Sequence, residues 1–149
     1  MPKVEPAEAV GHNFRRVVPT MLERYYRRGR RLLKRNASDA VLHRFRIRTK
    51  RVRYTLELYA GFFPSEDALE RFRKTQDVLG KLQDCQKLCI FLEGQVRGKW
   101  AEAWEEALRA ARKQRKSLRK EFSQEWPRLH GAKSRGELLD QIKRPASAP

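Results

Sequence analysis

The chain is poor in the residues that staple, interrupt or anchor a fold. It has two cysteines in 149 residues, too few for the disulfide framework of a small secreted domain. Cys85 and Cys89 are four apart in a helical pattern. That spacing puts them on neighbouring turns of one helix, as free packed thiols suited to a reducing cytoplasm. Neither a Cys-x-x-Cys pair nor a cluster of histidines accompanies them, so no metal site is expected. No stretch approaches the ~20 apolar residues of a membrane span. The opening MPKVEPAEAVG lacks an apolar run and reads as neither signal peptide nor anchor. Ser-His-Asp and Cys-His sets are absent, and no glycine-rich phosphate loop precedes a helix, so the expectation is a protein that is not an enzyme and needs no cofactor.

Acidic residues are also in short supply. There are 18 Asp and Glu against 35 Lys and Arg, a net charge of +17. Such an excess repels itself in the folded state and points to a polyanionic partner. The imbalance is concentrated: from Phe14 to Arg53, fifteen cations stand against Glu23 and Asp39 alone. The polyanion is therefore expected on the first half of the chain.

Proline and glycine gather near the N-terminus, at Gly61 to Pro64, around Gly94 and Gly98, and from Gly131 onward. Between these points apolar residues recur at three and four, and no alternating strand pattern of useful length occurs. The pattern predicts four helices. Helix 1 covers Asn13 to Lys34, with Phe14, Val18, Met21, Tyr25 and Leu32 as its apolar stripe. Helix 2 opens at Ser38 or Asp39 and ends near Phe62. Helix 3 starts at Pro64 and Ser65, has Glu66 and Asp67 in its first turn, and runs to about Val96. Gly80 lies inside it and reads as a close-packing position. Helix 4 starts near Lys99, carries Trp100, Ala103, Trp104, Leu108, Leu118 and Phe122 on one face, and is closed by Pro127. Short connections favour antiparallel neighbours, so the expected fold is all-α, an up-down-up-down four-helix bundle. The expected organisation is a flexible segment over 1–12, the bundle over 13–130, and a mostly disordered tail over 131–149 with a short helix at Glu137 to Ile142.

Helix 2 is unusual. At ~100° per residue, His43, Arg46, Lys50, Arg53 and Glu57 fall within an arc of roughly 80°. Phe45, Thr49, Val52, Leu56 and Phe63 lie on one side of that arc, and Ile47, Tyr54 and Leu58 on the other. Arg44, Arg48 and Arg51 form a third arc, which can serve as the ordinary wet face. An ordinary surface helix needs one apolar and one wet face. A cationic stripe between two apolar faces is expected to lie in a groove, where one acid, Glu57, leaves a deficit that a ligand can fill. Helix 1 offers a matching row, Arg24, Arg28, Arg31 and Arg35, beside Arg27, and antiparallel packing would bring the two rows to one trough. Arginine suits phosphate because its planar fork donates two hydrogen bonds at once. The bland alternative is a solubilising charge run. For Asp77 and Asp84, seven apart on one face, salt bridges to nearby cations are expected rather than a divalent ion.

The segment Leu42-His-Arg-Phe-Arg-Ile-Arg-Thr-Lys-Arg-Val-Arg-Tyr-Thr-Leu-Glu57 resembles the signature helix of the CHAD family, the conserved-histidine α-helical domain. The matching positions are His43, Arg46, Lys50, Arg51, Arg53, Tyr54 and Glu57. Gln76 to Asp84, with its Leu-Gly-x-Leu-x-Asp run, resembles the family's second motif. The likeness extends over roughly Phe14 to Leu129. It implies helical bundles around a basic channel that binds inorganic polyphosphate, without catalysis; no Glu-x-Glu-x-Lys motif of an accompanying triphosphate-tunnel enzyme occurs. The expected binding set is Arg24, Arg27, Arg28, Arg31, Arg35, His43, Arg46, Lys50, Arg51, Arg53, Lys74 and Lys81. The family module usually pairs two bundles, each with a signature helix, whereas this chain has one copy. That implies half of the two-bundle arrangement, completed as a homodimer through Ile47, Tyr54 and Leu58. A cytoplasmic protein associated with polyphosphate granules is the corresponding expectation. The rival reading is a sequence-independent nucleic-acid-binding helical protein, with the same electrostatics.

Overall fold

Apolar residues at helical spacing produce five α-helices among the described residues, the four expected and a longer form of the short one expected at Glu137 to Ile142. The structure is a computed structural model and describes residues 9–34, 37–63 and 66–144. Its elements are α1 (Val10–Lys34), α2 (Asp39–Leu58), α3 (Glu66–Gln95), α4 (Ala101–His130) and α5 (Ala132–Lys143), with single 3-10 turns at Ala60–Phe62 and Gly98–Trp100. No strand occurs among the described residues.

The expected boundaries shift at both ends. The amides of His12 and Asn13 bond to the Ala9 carbonyl at 3.0 and 3.2 Å, which starts α1 at Val10 rather than Asn13. Residues 10–12 thus belong to the helix rather than to a flexible segment; residues 1–8 lie outside the described ones. Pro127 does not close α4. It lacks the N–H that would bond the carbonyl four residues back, yet Trp126 and His130 on either side are both buried and keep the helix running. The tail, expected to be mostly disordered with a short helix at Glu137 to Ile142, forms the longer α5 over Ala132–Lys143, because Leu138 and Ile142 are fully buried against the core. Residues 145–149 lie outside the described ones, as do Pro64 and Ser65.

Helices α1 and α2 meet antiparallel, as do α3 and α4. Phe14 of α1 packs on Tyr59 and Phe63 beyond the end of α2, with ring centroids 4.8 and 5.3 Å apart. Tyr25, further along α1, stacks on Phe45 near the start of α2 at 5.0 Å. Between α3 and α4, Thr75 meets His130 and Cys85 meets Ala111. This is the most extensive helix pairing in the molecule, and α5 covers α1. The first turn of α2 is held by an acid that reaches across the fold. Asp39 pairs with Arg119 at 2.5 Å and Arg115 at 3.5 Å, both on α4.

Two features lock α1 to α4. A Cβ on Gly29 would lie 1.9 Å from the Trp126 ring, so only glycine admits the indole there. His130 sits beneath Tyr25, Tyr26, Phe72 and Trp126, with centroids 4.5–5.7 Å away. The Thr75 hydroxyl donates to the Arg71 carbonyl at 2.9 Å, so its contact with His130 Nε2 at 2.8 Å is one in which the ring N–H donates. Burial, aided by the charge of Arg71, pushes the imidazole down to about 3, which keeps it neutral at ordinary pH. The other end of α3 and α4 has its own small cluster, Cys89, Leu92, Leu108 and Ala111. Both cysteines are free and buried, as their spacing suggested. Trp100, expected on the buried face of helix 4, is 63 % exposed because the helix begins after it.

Candidate anion-binding site

The position of each cation follows from the arc of α2 that the core claims. Leu42, Phe45, Thr49, Val52 and Leu56 are buried. Relative to the middle of that arc, Arg46 and Arg53 lie roughly 70–90° to one side, and Arg44 and Arg48 roughly 70–110° to the other. The first flank turns to α3 and the second to α1. The helix-1 row and the His43 stripe therefore do not share one trough, as the sequence led us to expect. The body of α2 stands between them. Arg28 and Arg31 of α1 line a cleft with Arg44 and Arg48 instead.

On the α3 flank the stripe is graded along its length. At the C-terminal end of α2, Arg53 donates from Nε to Gln76 Oε1 at 3.0 Å and from a terminal nitrogen to Glu57 Oε1 at 2.5 Å. Arg73 adds a second cation to Glu57 at 3.8 Å. The Arg53 guanidinium also lies 4.4 Å from the Tyr54 ring centroid, and Lys50 Nζ 5.4 Å from it. In mid-helix the pattern changes. Arg46 is half-buried, and its Nε is buried with no hydrogen-bond partner among the described residues. An orphaned buried donor on a charged group costs on the order of 1–3 kcal/mol or more. Lys50 and His43 are exposed, and no acid among the described residues pairs with either. His43 lines a separate cleft of about 320 Å³ toward α3, with Gln83, Gln86 and Lys87.

Gly80 has a different role from the one expected. A Cβ there would meet only Arg46 Nε, at 3.8 Å, an ordinary contact. Gly80 leaves a lane on α3 along which the Arg46 side chain lies; it does not seat another helix. The glycine that seats one helix against another is Gly29, under the Trp126 ring. Its signal was legible: a lone glycine among bulky residues on the continuation of the Phe14-Val18-Tyr25 stripe.

The other expected residues divide. Arg24, Arg27, Arg28, Arg31 and Arg51 are exposed. Arg35 lies outside the described residues. Lys74 pairs with Glu70 at 3.7 Å, and Lys81 is exposed beside the Arg46 lane without an ion pair among the described residues. Asp77 and Asp84 are exposed and make none of the expected salt bridges among the described residues. Seven residues of helix separate them by ~10 Å along the axis. No group of three or more potential metal ligands occurs among the described residues, and no described helix is long and apolar enough to cross a membrane.

A family model described as the CHAD domain matches residues 2–93, more than half of the chain. The match takes in α1, α2 and the Gly80 segment and stops inside α3, short of the Leu129 limit suggested by the motifs. No curated protein and no solved structure matches the chain.

Proposed function

The chain belongs to the CHAD domain family, and from that premise we propose that it binds inorganic polyphosphate through the cations of α2, with contributions from α1 and from Lys81 of α3. The observation that carries this reading is the middle of the stripe. Arg46, with its unsatisfied Nε, and Lys50 stand side by side without a carboxylate among the described residues. A chain of phosphates supplies what they lack, repeated acceptor oxygens at short intervals with no base to be read. Arg53 is already bridged to Glu57 and Gln76, so it orients the end of the stripe and contributes less charge. The site is a binding surface, and the reading assigns it no catalysis.

In this reading α1 to α4 form the up-down-up-down bundle, α5 is an addition to it, and a second copy of the chain completes the module. Ile47, Tyr54 and Leu58 are 38, 48 and 77 % exposed along one line beside the stripe, a face that a symmetric partner would cover. Two stripes would then border one channel. A monomer at micromolar concentration in sedimentation would remove the dimer from the proposal and leave the binding reading intact. The compartment that fits free thiols and this ligand is the cytoplasm, at polyphosphate granules.

The deciding experiment is competition at fixed, near-physiological salt between long-chain polyphosphate and duplex DNA or RNA. Polyphosphate is expected to displace either nucleic acid at equal phosphate concentration. Nucleic acid winning would transfer the assignment to a sequence-independent nucleic-acid binder.

A further inference from the structure

The α1 flank of α2 holds a cleft of about 380 Å³, at the lower end of the roughly 300–1,000 Å³ typical of small-molecule sites. Arg28 and Arg31 form one rim and Arg44 and Arg48 the other. None of the four has a hydrogen-bond or ion-pair partner among the described residues. Between the rims the lining is apolar: half-buried Leu32, Ala37 and Val41, with Phe45 buried beneath.

Rim and floor ask different things of a ligand. Four guanidiniums call for several negative charges. Among the described residues the floor offers no side-chain donor or acceptor, so phosphate oxygens laid on it would lose water and gain no hydrogen bond. A ligand that fills the cleft carries its charge at one end and an apolar body at the other. A planar body fits best, because guanidinium planes stack on aromatic faces.

We infer that this cleft binds nucleoside polyphosphates, with the phosphates on the arginine rim and the base over Leu32 and Val41. With no polar side chain on the floor among the described residues, the base is held by stacking and shape and its identity is not read. The cleft lies across the body of α2 from the Arg46 stripe, about one helix diameter away (~10 Å). It shares no residue with the His43, Arg46, Lys50 and Arg53 stripe, so variants of the cleft and of the stripe test the two readings separately.

The test is calorimetric titration of the full chain at near-physiological salt with ATP, GTP, tripolyphosphate and adenosine. ATP is expected to bind at least ~10-fold tighter than tripolyphosphate, and GTP within about threefold of ATP. Methyl resonances of Leu32 and Val41 should shift with ATP and stay in place with tripolyphosphate. The double variant R44A/R48A, with helix content checked by circular dichroism, should weaken ATP binding at least ~10-fold, while R109A/K113A on α4, with the same loss of charge, changes it less than about twofold. Tripolyphosphate binding as tightly as ATP would overturn the inference, because the floor would then contribute nothing. Equal losses in the two double variants would overturn it too, by reducing the effect to net charge.

Discussion

Helix α4 and the pair α1–α2 are both rich in arginine, but their arginines are differently employed. On α4, Arg109 pairs with Glu105, Arg112 with Glu93, Arg128 with Glu125, and Arg115 and Arg119 with Asp39. On α1 and α2, the guanidiniums of Arg24, Arg27, Arg28, Arg31, Arg44, Arg46, Arg48 and Arg51 face no carboxylate among the described residues, and Arg53 is the stripe's paired exception. A paired arginine makes an incoming anion compete with a resident carboxylate. An unpaired one has nothing to displace. Local absence of acid therefore marks a site better than net charge does.

The largest expected effect tests this directly. Charge reversal at R46E/K50E should weaken polyphosphate binding roughly 100-fold at near-physiological salt, while R109E/K113E costs less than about threefold. Equal losses in titrations of the two variants would erase the distinction between the regions. Next comes the contact that joins them. G29A places a methyl inside the Trp126 ring and should cost about 2–3 kcal/mol in urea denaturation; an unchanged midpoint would mean that α1 does not seat on α4 as described.

His130, in the same seam, makes stability depend on pH. Its folded value of about 3 lies below the ordinary ~6.5, so the unfolded chain takes up the proton first. The stabilisation is complete above about pH 6.5 and is lost as pH falls toward 3, roughly 2 kcal/mol of it by pH 5. Urea midpoints between pH 7.5 and 5 should show this loss, and H130Q should flatten it. G80A acts in the opposite direction. It should stabilise the protein by about 0.5–1 kcal/mol, because the helix gains a better former and the new methyl only touches Arg46. Polyphosphate affinity should hold within about twofold, and a collapse of binding would show that the lane needs glycine. The smallest effect sharpens the comparison from within the stripe: E57Q releases Arg53 and Arg73 from their shared acid and should raise polyphosphate affinity about threefold by calorimetry.

Much of this was legible in the sequence. The spacing of Phe45, Thr49, Val52 and Leu56 fixed which arc of α2 is buried, and that in turn placed Ile47, Tyr54 and Leu58 outside. The neighbour of each remaining flank was not legible, because a helical wheel gives angles about one axis and nothing about which helix stands at each angle. Arg44 and Arg48 were thus read as a plain wet face, and Arg28 and Arg31 were assigned to the wrong flank. Of helix α5 the stretch Glu137 to Ile142 was legible and its first turns were not, because Leu138 and Ile142 are its two buried residues and the turns before them are polar. Pro127 misled for a physical reason: one lost backbone bond weighs less than burying Trp126 and His130 on the same helix. His130 itself carried no motif, and its environment is assembled from α1 and α3 as well as its own helix.

The seating of α5 on α1 has a consequence for how the molecule forms. Arg15 donates from Nε to the carbonyl of Arg144 at 3.2 Å, a contact across 129 positions of sequence. Helix α1 is covered by α5, so this part of the core has a high contact order even though every described element is a helix. On the ribosome, α1 stays incompletely covered until α5 emerges, and a nascent chain stalled before Leu138 would expose the seat that Leu138 and Ile142 fill, a surface for chaperones to hold.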